Sequence, residues 1–200
     1  MGQPSVASQR GEQFDRWFGY AKKRWRLALL TLLAATAVFG GLDTVDKGVT
    51  PFKPGEEFGD GQFTLTIERA RLVDELKGAL AVIGPANPGK RYLGVVATLR
   101  NDGTVPGRLR DELDLRGLPG KEFFGAFRLR DGSPIQTLGP GLTEELAFTW
   151  TLPEDALKPG DSVTIWVWKK SYKQLMVTYG GKEWIESPTD YGETVVQVAP

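Results

Sequence analysis

The sequence predicts an all-β sandwich of about seven to nine antiparallel strands, preceded by one N-terminal transmembrane helix. Three observations lead to this fold class. Residues 27–42 form an uncharged apolar run, hydrophobic and polar residues alternate in short segments from residue 62 onward, and turn residues separate those segments. No convincing helical pattern follows residue 42, so we expect the remainder to be built from strands.

Four regions are expected along the chain. They are a cytoplasmic, basic amphipathic juxtamembrane segment at 1–26, a transmembrane helix serving as a signal anchor at 27–42, a Gly/Pro-rich linker at 43–61 and an extracytoplasmic domain at 62–200.

The apolar run at 27–42 has sixteen residues and would span about 24 Å as a helix, against about 30 Å for a bilayer core. Trp25 as an interfacial anchor and a snorkelling Arg26 reduce this difference. Basic residues precede the run and Asp43 and Asp46 follow it, so the positive-inside rule places the N-terminus in the cytoplasm. The domain then lies outside the cell membrane.

A cleavable signal peptide is the competing interpretation. Ala35, Thr36 and Ala37 form a small-x-small triplet, and cleavage near Ala37 would give a secreted protein. The 26 residues before the run are long for a signal peptide, and they carry an aromatic face with helical spacing that suits an anionic membrane surface. The predicted membrane-interface residues are Phe14, Trp17, Phe18, Lys22, Lys23, Arg24, Trp25 and Arg26.

Composition excludes several classes of active site. The 200-residue chain has no Cys and no His, which rules out a disulfide, a thiol nucleophile, a Ser-His-Asp triad and a His-ligated zinc. Residues 1–26 carry six basic and two acidic residues, so the rest of a chain of zero net charge is acidic. This charge distribution disfavours nucleic acid as a partner. We expect no enzyme, no metal site and no cofactor.

Alternation defines the strands of the domain. It is clear at 63–67, at 93–99 before a turn at 101–103, at 146–152 before Pro153, and at 163–167. Gly180-Gly181 predicts a hairpin between the segments LMVTY and KEWIE, and VVQV supplies a final strand.

Several of these segments resemble the telokin-like, immunoglobulin-like exported domains of Gram-positive bacteria, over about residues 60–170. The segments are YLGVVATLRNDGTVPG, FRLRDGSPI, LGPGLTEELAFTWTLPED and KPGDSVTIWVW. The resemblance implies an immunoglobulin-like antiparallel β-sandwich in an extracytoplasmic setting, and it supplies no catalytic residues. An insert at 108–126, RLRDELDLRGLPGKEFFGA, departs from the family pattern and leaves the strand order open there.

The strand at 163–168 carries the main candidate site. Trp166 and Trp168 lie on the face opposite Val163, Ile165 and Val167, which predicts an outer aromatic patch unless one Trp belongs to the core or the insert covers it. The candidate binding surface consists of Trp166, Trp168, Lys169, Lys170, Tyr172 and Trp184.

Acidic residues offer weaker alternatives. Asp111, Glu112 and Asp114 are oxygen ligands of the kind calcium uses, but their spacing matches no known loop, so we interpret them as charged surface of the insert. Acidic pairs at 144–145 and 154–155 are the basis of a carboxylate-hydrolase hypothesis.

The leading functional hypothesis is a single-pass, membrane-anchored binding or scaffolding module that recognises an envelope protein or supports a membrane complex. Its partners would be the lipid bilayer and an envelope or membrane protein. The alternative is a module that binds cell-wall glycan through Trp166, Trp168 and Trp184, because sugar rings stack on exposed indoles.

Overall fold

The computed structural model describes residues 48–79, 81–174 and 181–199, and these form strands, turns and loops without a helix. Within these ranges there is accordingly no helix long and apolar enough to cross a membrane. The predicted transmembrane helix at 27–42 and its interface residues lie outside the described residues. The strands are β1 (Val49–Pro51), β2 (Glu57–Gly59), β3 (Phe63–Val73), β4 (Leu76–Lys77), β5 (Val82–Gly84), β6 (Lys90–Asn101), β7 (Gly107–Arg108), β8 (Asp114–Arg116), β9 (Glu122–Arg128), β10 (Thr137–Leu138), β11 (Thr143–Pro153), β12 (Ser162–Gln174) and β13 (Lys182–Ala199).

The strands form a sandwich-like fold in which β13 belongs to both layers. In one layer β12 lies between β8 and β13, and β1 pairs in parallel with β13. The other layer has the order β3-β6-β11-β9, with β2 alongside β3. The two layers are continuous where Val198 and Ala199 at the end of β13 pair in parallel with β3. Two short ladders, β10-β7 and β4-β5, complete the described pairing.

The core follows the alternation in the sequence. In β12 the side chains of Val163, Ile165 and Val167 are buried, and Trp166 and Trp168 are half-buried on the opposite face. The buried apolar side chains of both layers form one hydrophobic core cluster. Burial of one large apolar side chain contributes about 1.5–3 kcal/mol, so this cluster is the main source of stability. Its largest fully buried members are Phe63, Phe148, Leu65, Ile67, Leu93, Leu99, Leu109, Leu115, Leu138, Leu146, Leu152 and Ile165.

The segment predicted to be a linker, 43–61, contributes to the folded domain over its described part. Residues 48–61 contain β1 and β2, and Phe52 and Phe58 are buried with their rings stacked 4.7 Å apart. Phe58 lies directly against Gly192, where a Cβ atom would overlap its ring. Two aromatic side chains therefore fix this Gly/Pro-rich stretch to the sandwich despite its composition.

The insert at 108–126 crosses from one layer to the other. Its strand β8 pairs with β12, whereas β9 pairs with β11 on the opposite layer. Leu113, directly before β8, and Leu115, within β8, are buried in the core. The insert therefore contributes one strand to each layer.

The segment KEWIE pairs antiparallel with residues 170–174 of β12, at the end of a long ladder that reaches Gln174 opposite Lys182. The segment LMVTY, predicted as its hairpin partner, and the turn itself lie outside the described residues. The segments KEWIE and VVQV belong to one strand, β13, and residues 187–190 leave the ladder opposite a bulge at Lys169. Ser187 Oγ accepts hydrogen bonds from the N–H groups of Thr189 and Asp190 in this excursion.

Candidate functional site

The outer edge of β9 is an open strand edge over part of its length. Its last residues are covered, because Ile135 N–H donates to Ala126 O and Arg128 N–H donates to Ser133 O. The backbone of residues 122–125 pairs with β11 on one side and has no other backbone partner among the described residues. An exposed edge with unpaired N–H and C=O groups is a template for adding a further strand.

A β-bulge places an exposed aromatic side chain on this edge. The ladder with β11 shifts register between Thr149 and Trp150, so Phe124 is the extra residue of β9. Phe123 turns inward, edge-to-face with Trp150 at 5.5 Å, whereas Phe124 is 41% exposed. The Phe124 ring packs against the rings of Tyr92, at 5.3 Å between centroids, and Phe127, at 5.9 Å. These contacts hold the ring in place while part of it stays exposed to solvent.

A groove of about 560 Å³ runs along the same edge, between β9 and residues 134–137. Arg108 and Arg110 line it together with the Phe124 and Phe127 rings. Both arginines are exposed, and neither has an ion pair or a side-chain hydrogen bond in the described parts of the chain. The groove therefore combines an open backbone edge, an aromatic wall and two guanidinium groups whose charge is not neutralised locally.

Trp166 of the predicted aromatic patch is covered on both ring faces. The ring of Tyr191 stacks on it at 3.9 Å between centroids, and the Arg116 guanidinium lies 4.0 Å from the ring centroid. Two groups at such distances occupy opposite faces of one ring, which agrees with their positions on the two strands flanking β12. The Trp166 Nε1–H donates to Glu193 Oε2 at 2.7 Å. One of the two groups that cover the Trp166 indole, Arg116, therefore comes from the insert.

The other candidate residues fall into separate groups. Trp168 packs edge-to-face on Tyr191 and lines a cleft of about 370 Å³, and Lys169 Nζ donates to Thr50 Oγ1 at 3.0 Å. Tyr172 and Trp184 lie together, 5.3 Å apart, and Trp184 lines a different cleft of about 610 Å³. The six predicted residues therefore do not form one continuous patch.

Lys170 lies in a buried ionic cluster. Strict alternation would place it on the outer face with Trp166 and Trp168, but the bulge after Trp168 reverses its direction. Its side chain is 9% exposed, and Nζ lies 3.0 Å from Asp60 Oδ2 and donates to Glu112 Oε2. The side chains of Asp60 and Glu112 are both fully buried.

Glu112 was expected on the charged surface of the insert, and this expectation is wrong. Burial raises the pKa of Glu112 well above its ordinary value, and the Asp60 carboxylate raises it further, against the opposing effect of the Lys170 ammonium. Burial lowers the pKa of Lys170, but the two carboxylates outweigh it and the net shift is upward. Asp114, the third residue of the calcium interpretation, pairs instead with Arg116 and Lys121.

Sequence reasoning missed the groove and the ionic cluster for different reasons. The aromatic run at 123–127 was visible, but the free edge beside it depends on which strands pair. The sequence predicts Asp60 in the linker and Glu112 on the surface, because acidic residues are exposed in most proteins. Their convergence on Lys170 is a contact across 58 and 110 positions of the chain, and no local pattern indicates it.

No family model and no curated protein matches the chain. Among solved structures, the chain is similar to an uncharacterised β-sandwich protein from Clostridium difficile 630, with 12% identity and a TM-score of 0.51 over 78% of this chain and 99% of that one. A conserved hypothetical protein from Bacillus anthracis matches with 15% identity and a TM-score of 0.35, over 68% of this chain and 95% of that one. The first likeness supports the sandwich fold, and the chain contains a β-sandwich domain.

Proposed function

We propose that this protein is a single-pass, membrane-anchored module whose immunoglobulin-like sandwich lies outside the cell and binds an envelope or membrane protein. The observation that carries the binding role is the groove along β9, where an open strand edge lies beside Phe124 and two arginines. The observation that carries the location is the apolar run at 27–42, with basic residues before it and acidic residues after it.

The partner segment is an extended peptide that adds to β9 as a further strand. Backbone hydrogen bonds to residues 122–125 would give affinity, and an apolar side chain would pack on Phe124. Arg108 and Arg110 favour carboxylates on the partner, because charge-assisted hydrogen bonds from a guanidinium to a carboxylate are stronger than neutral ones. We therefore propose an acidic, partly apolar segment of an envelope or membrane protein as the ligand.

The wall-glycan alternative is less well supported. Stacking of a sugar ring needs a free aromatic face, and both faces of Trp166 are occupied by Tyr191 and Arg116. Trp184 contacts Tyr172 and lies in another cleft, so the three tryptophans do not align as one platform. A free groove with charge and an open edge favours a peptide over a glycan.

Photocrosslinking in intact cells tests the binding site. Benzoylphenylalanine in place of Phe124 should capture an envelope or membrane protein, whereas the same probe at Val195, 52% exposed on β13, should not. The double substitution Arg108→Glu and Arg110→Glu should lower the captured yield about tenfold, because it replaces attraction by repulsion at the groove.

The charge-reversed protein should unfold at the same denaturant concentration as the unchanged protein, because both arginines are exposed and unpaired among the described residues. Equal capture from positions 124 and 195, or a yield unaffected by charge reversal, would reject the groove as the binding site. Captured wall glycan in place of protein would favour the alternative.

A further inference from the structure

The ionic cluster of Lys170, Asp60 and Glu112 has the arrangement of a reaction centre as well as that of an ion pair. Lys170 Nζ lies 3.0 Å from Asp60 Oδ2, and both carboxylic side chains are fully buried. The ring of Phe63 lies 5.0 Å from Nζ and contributes to the apolar surroundings. A primary amine and a carboxyl group held in contact away from water are the reactants of amide formation, and their proximity replaces a bimolecular encounter.

The two oxygens of Asp60 have different environments. Oδ1 accepts hydrogen bonds from the backbone N–H groups of Gln62 at 2.7 Å and Phe63 at 2.5 Å. Oδ2 lies beside Nζ but accepts no aligned hydrogen bond among the described residues. Two backbone donors on one carboxyl oxygen form the type of site that stabilises the oxyanion of a tetrahedral intermediate. The oxygen without a bond is the one positioned to leave.

We propose that Lys170 and Asp60 form an intramolecular amide bond, with Glu112 relaying the proton, that ties β12 to the turn preceding β3. The chain has no Cys and forms no disulfide. The bond encloses roughly 110 residues, so it restricts the unfolded chain in the way that a long-range disulfide does.

The reaction is balanced within the cluster. The Lys170 ammonium gives a proton to the Asp60 carboxylate, which leaves a neutral amine and a neutral acid. The amine lone pair attacks Asp60 Cγ, and negative charge develops on Oδ1, where the N–H groups of Gln62 and Phe63 lie. The Cγ–Oδ2 bond then breaks and the hydroxyl leaves. One water molecule is lost, and nothing is oxidised or reduced.

Glu112 moves the remaining protons. Glu112 Oε2 accepts a hydrogen bond from Lys170 Nζ, so this carboxyl group lies beside the reacting amine. Burial and the Asp60 carboxylate raise the pKa of Glu112, which favours its protonated form. In the proposed step Glu112 donates a proton to the departing hydroxyl. It recovers a proton from the nitrogen as the amide forms. Its Oε1 atom has no hydrogen-bond partner among the described residues, so the carboxyl group has a free oxygen for this exchange.

Peptide mass spectrometry of the full-length protein tests the bond. A proteolytic digest should contain the Asp60 peptide joined to the Lys170 peptide, lighter than the two separate peptides by the mass of one water molecule. Lys170→Arg should abolish the joined peptide while keeping the positive charge, and Lys169→Arg should leave it unchanged. Glu112→Gln should reduce the joined fraction at least tenfold, since general acid–base assistance contributes rate factors of about 10² or more.

Asp60→Asn gives a chemical control. The carboxamide would lose ammonia in place of water, so its joined peptide should have the same mass as the joined peptide of the unchanged protein. Separate Asp60 and Lys170 peptides without any joined species, in a digest of unchanged folded protein, would overturn the proposal. Full joining in Glu112→Gln would remove Glu112 from it. The test concerns the covalent bond alone, so its result is independent of partner binding at the β9 groove.

Discussion

Replacement of Asn101 by alanine is expected to lower the free energy of unfolding by about 3 kcal/mol. The Asn101 side chain is fully buried at the end of β6, and its Nδ2 group donates to Val105 O at 3.0 Å and Leu138 O at 2.7 Å. Its Oδ1 atom accepts the Gly103 N–H at 2.9 Å. Each backbone group left unsatisfied in the interior costs about 1–3 kcal/mol, so the loss of three bonds exceeds the effect of an ordinary surface change.

Urea unfolding followed by tryptophan fluorescence measures this effect. The midpoint should fall with an unchanged slope, because the fold and the area exposed on unfolding stay the same. Asp102→Ala is the matched control: the neighbouring side chain is 40% exposed and bonds Arg100 and Thr64 at the surface. Its expected cost is below about 1 kcal/mol. Similar losses from both substitutions would contradict the role of Asn101 as a buried turn anchor.

The second large effect is expected from Gly61→Ala, with a loss of about 3 kcal/mol or more. Gly61 has φ of 110°, a conformation that side chains disfavour, and a Cβ atom there would overlap the backbone carbonyl oxygen of Lys170. Backbone cannot move aside as a flexible side chain would. The turn that holds Asp60 would therefore shift away from Lys170, and we expect the joined peptide to decrease as well.

Gly55→Ala separates the two causes of the Gly61 effect. Gly55 also has a positive φ, 82°, but a Cβ atom there has nothing within 4 Å. Its substitution should cost only the conformational strain of about 1–2 kcal/mol. Equal midpoints for Gly55→Ala and Gly61→Ala in urea would mean that the close approach to Lys170 does not matter.

The sandwich was predictable because strand alternation is a local property. A half-buried strand needs apolar residues at every second position. Val163, Ile165 and Val167 show this pattern within five consecutive residues. The turn after β6 was equally visible in Asn101, Asp102 and Gly103. Burial of the Asn101 side chain was not, because its partners at Val105 and Leu138 are positioned by the fold.

Most of the candidate sites could not be predicted, because bulges and non-local contacts create them. Lys170 turns inward at the register shift after Trp168, where residues 187–190 of β13 leave the ladder. One extra residue in β9 turns Phe124 outward. Neither irregularity leaves a signal in the alternation. The strands β1 and β2 have three residues each, too few for a period to be recognised. The residues 48–61 therefore resembled a linker in composition, although Phe52 and Phe58 are buried.

Labelling of a single introduced cysteine tests most directly whether the sandwich lies outside the cell on a retained anchor. The chain has no natural Cys, so Val195→Cys, at a position 52% exposed, gives one reactive site. A membrane-impermeant maleimide should label this residue in intact cells, and the labelled full-length chain should sediment with the membranes. Labelling only after lysis, with the chain in the soluble cytosolic fraction, would contradict both the location and the partner class that we propose.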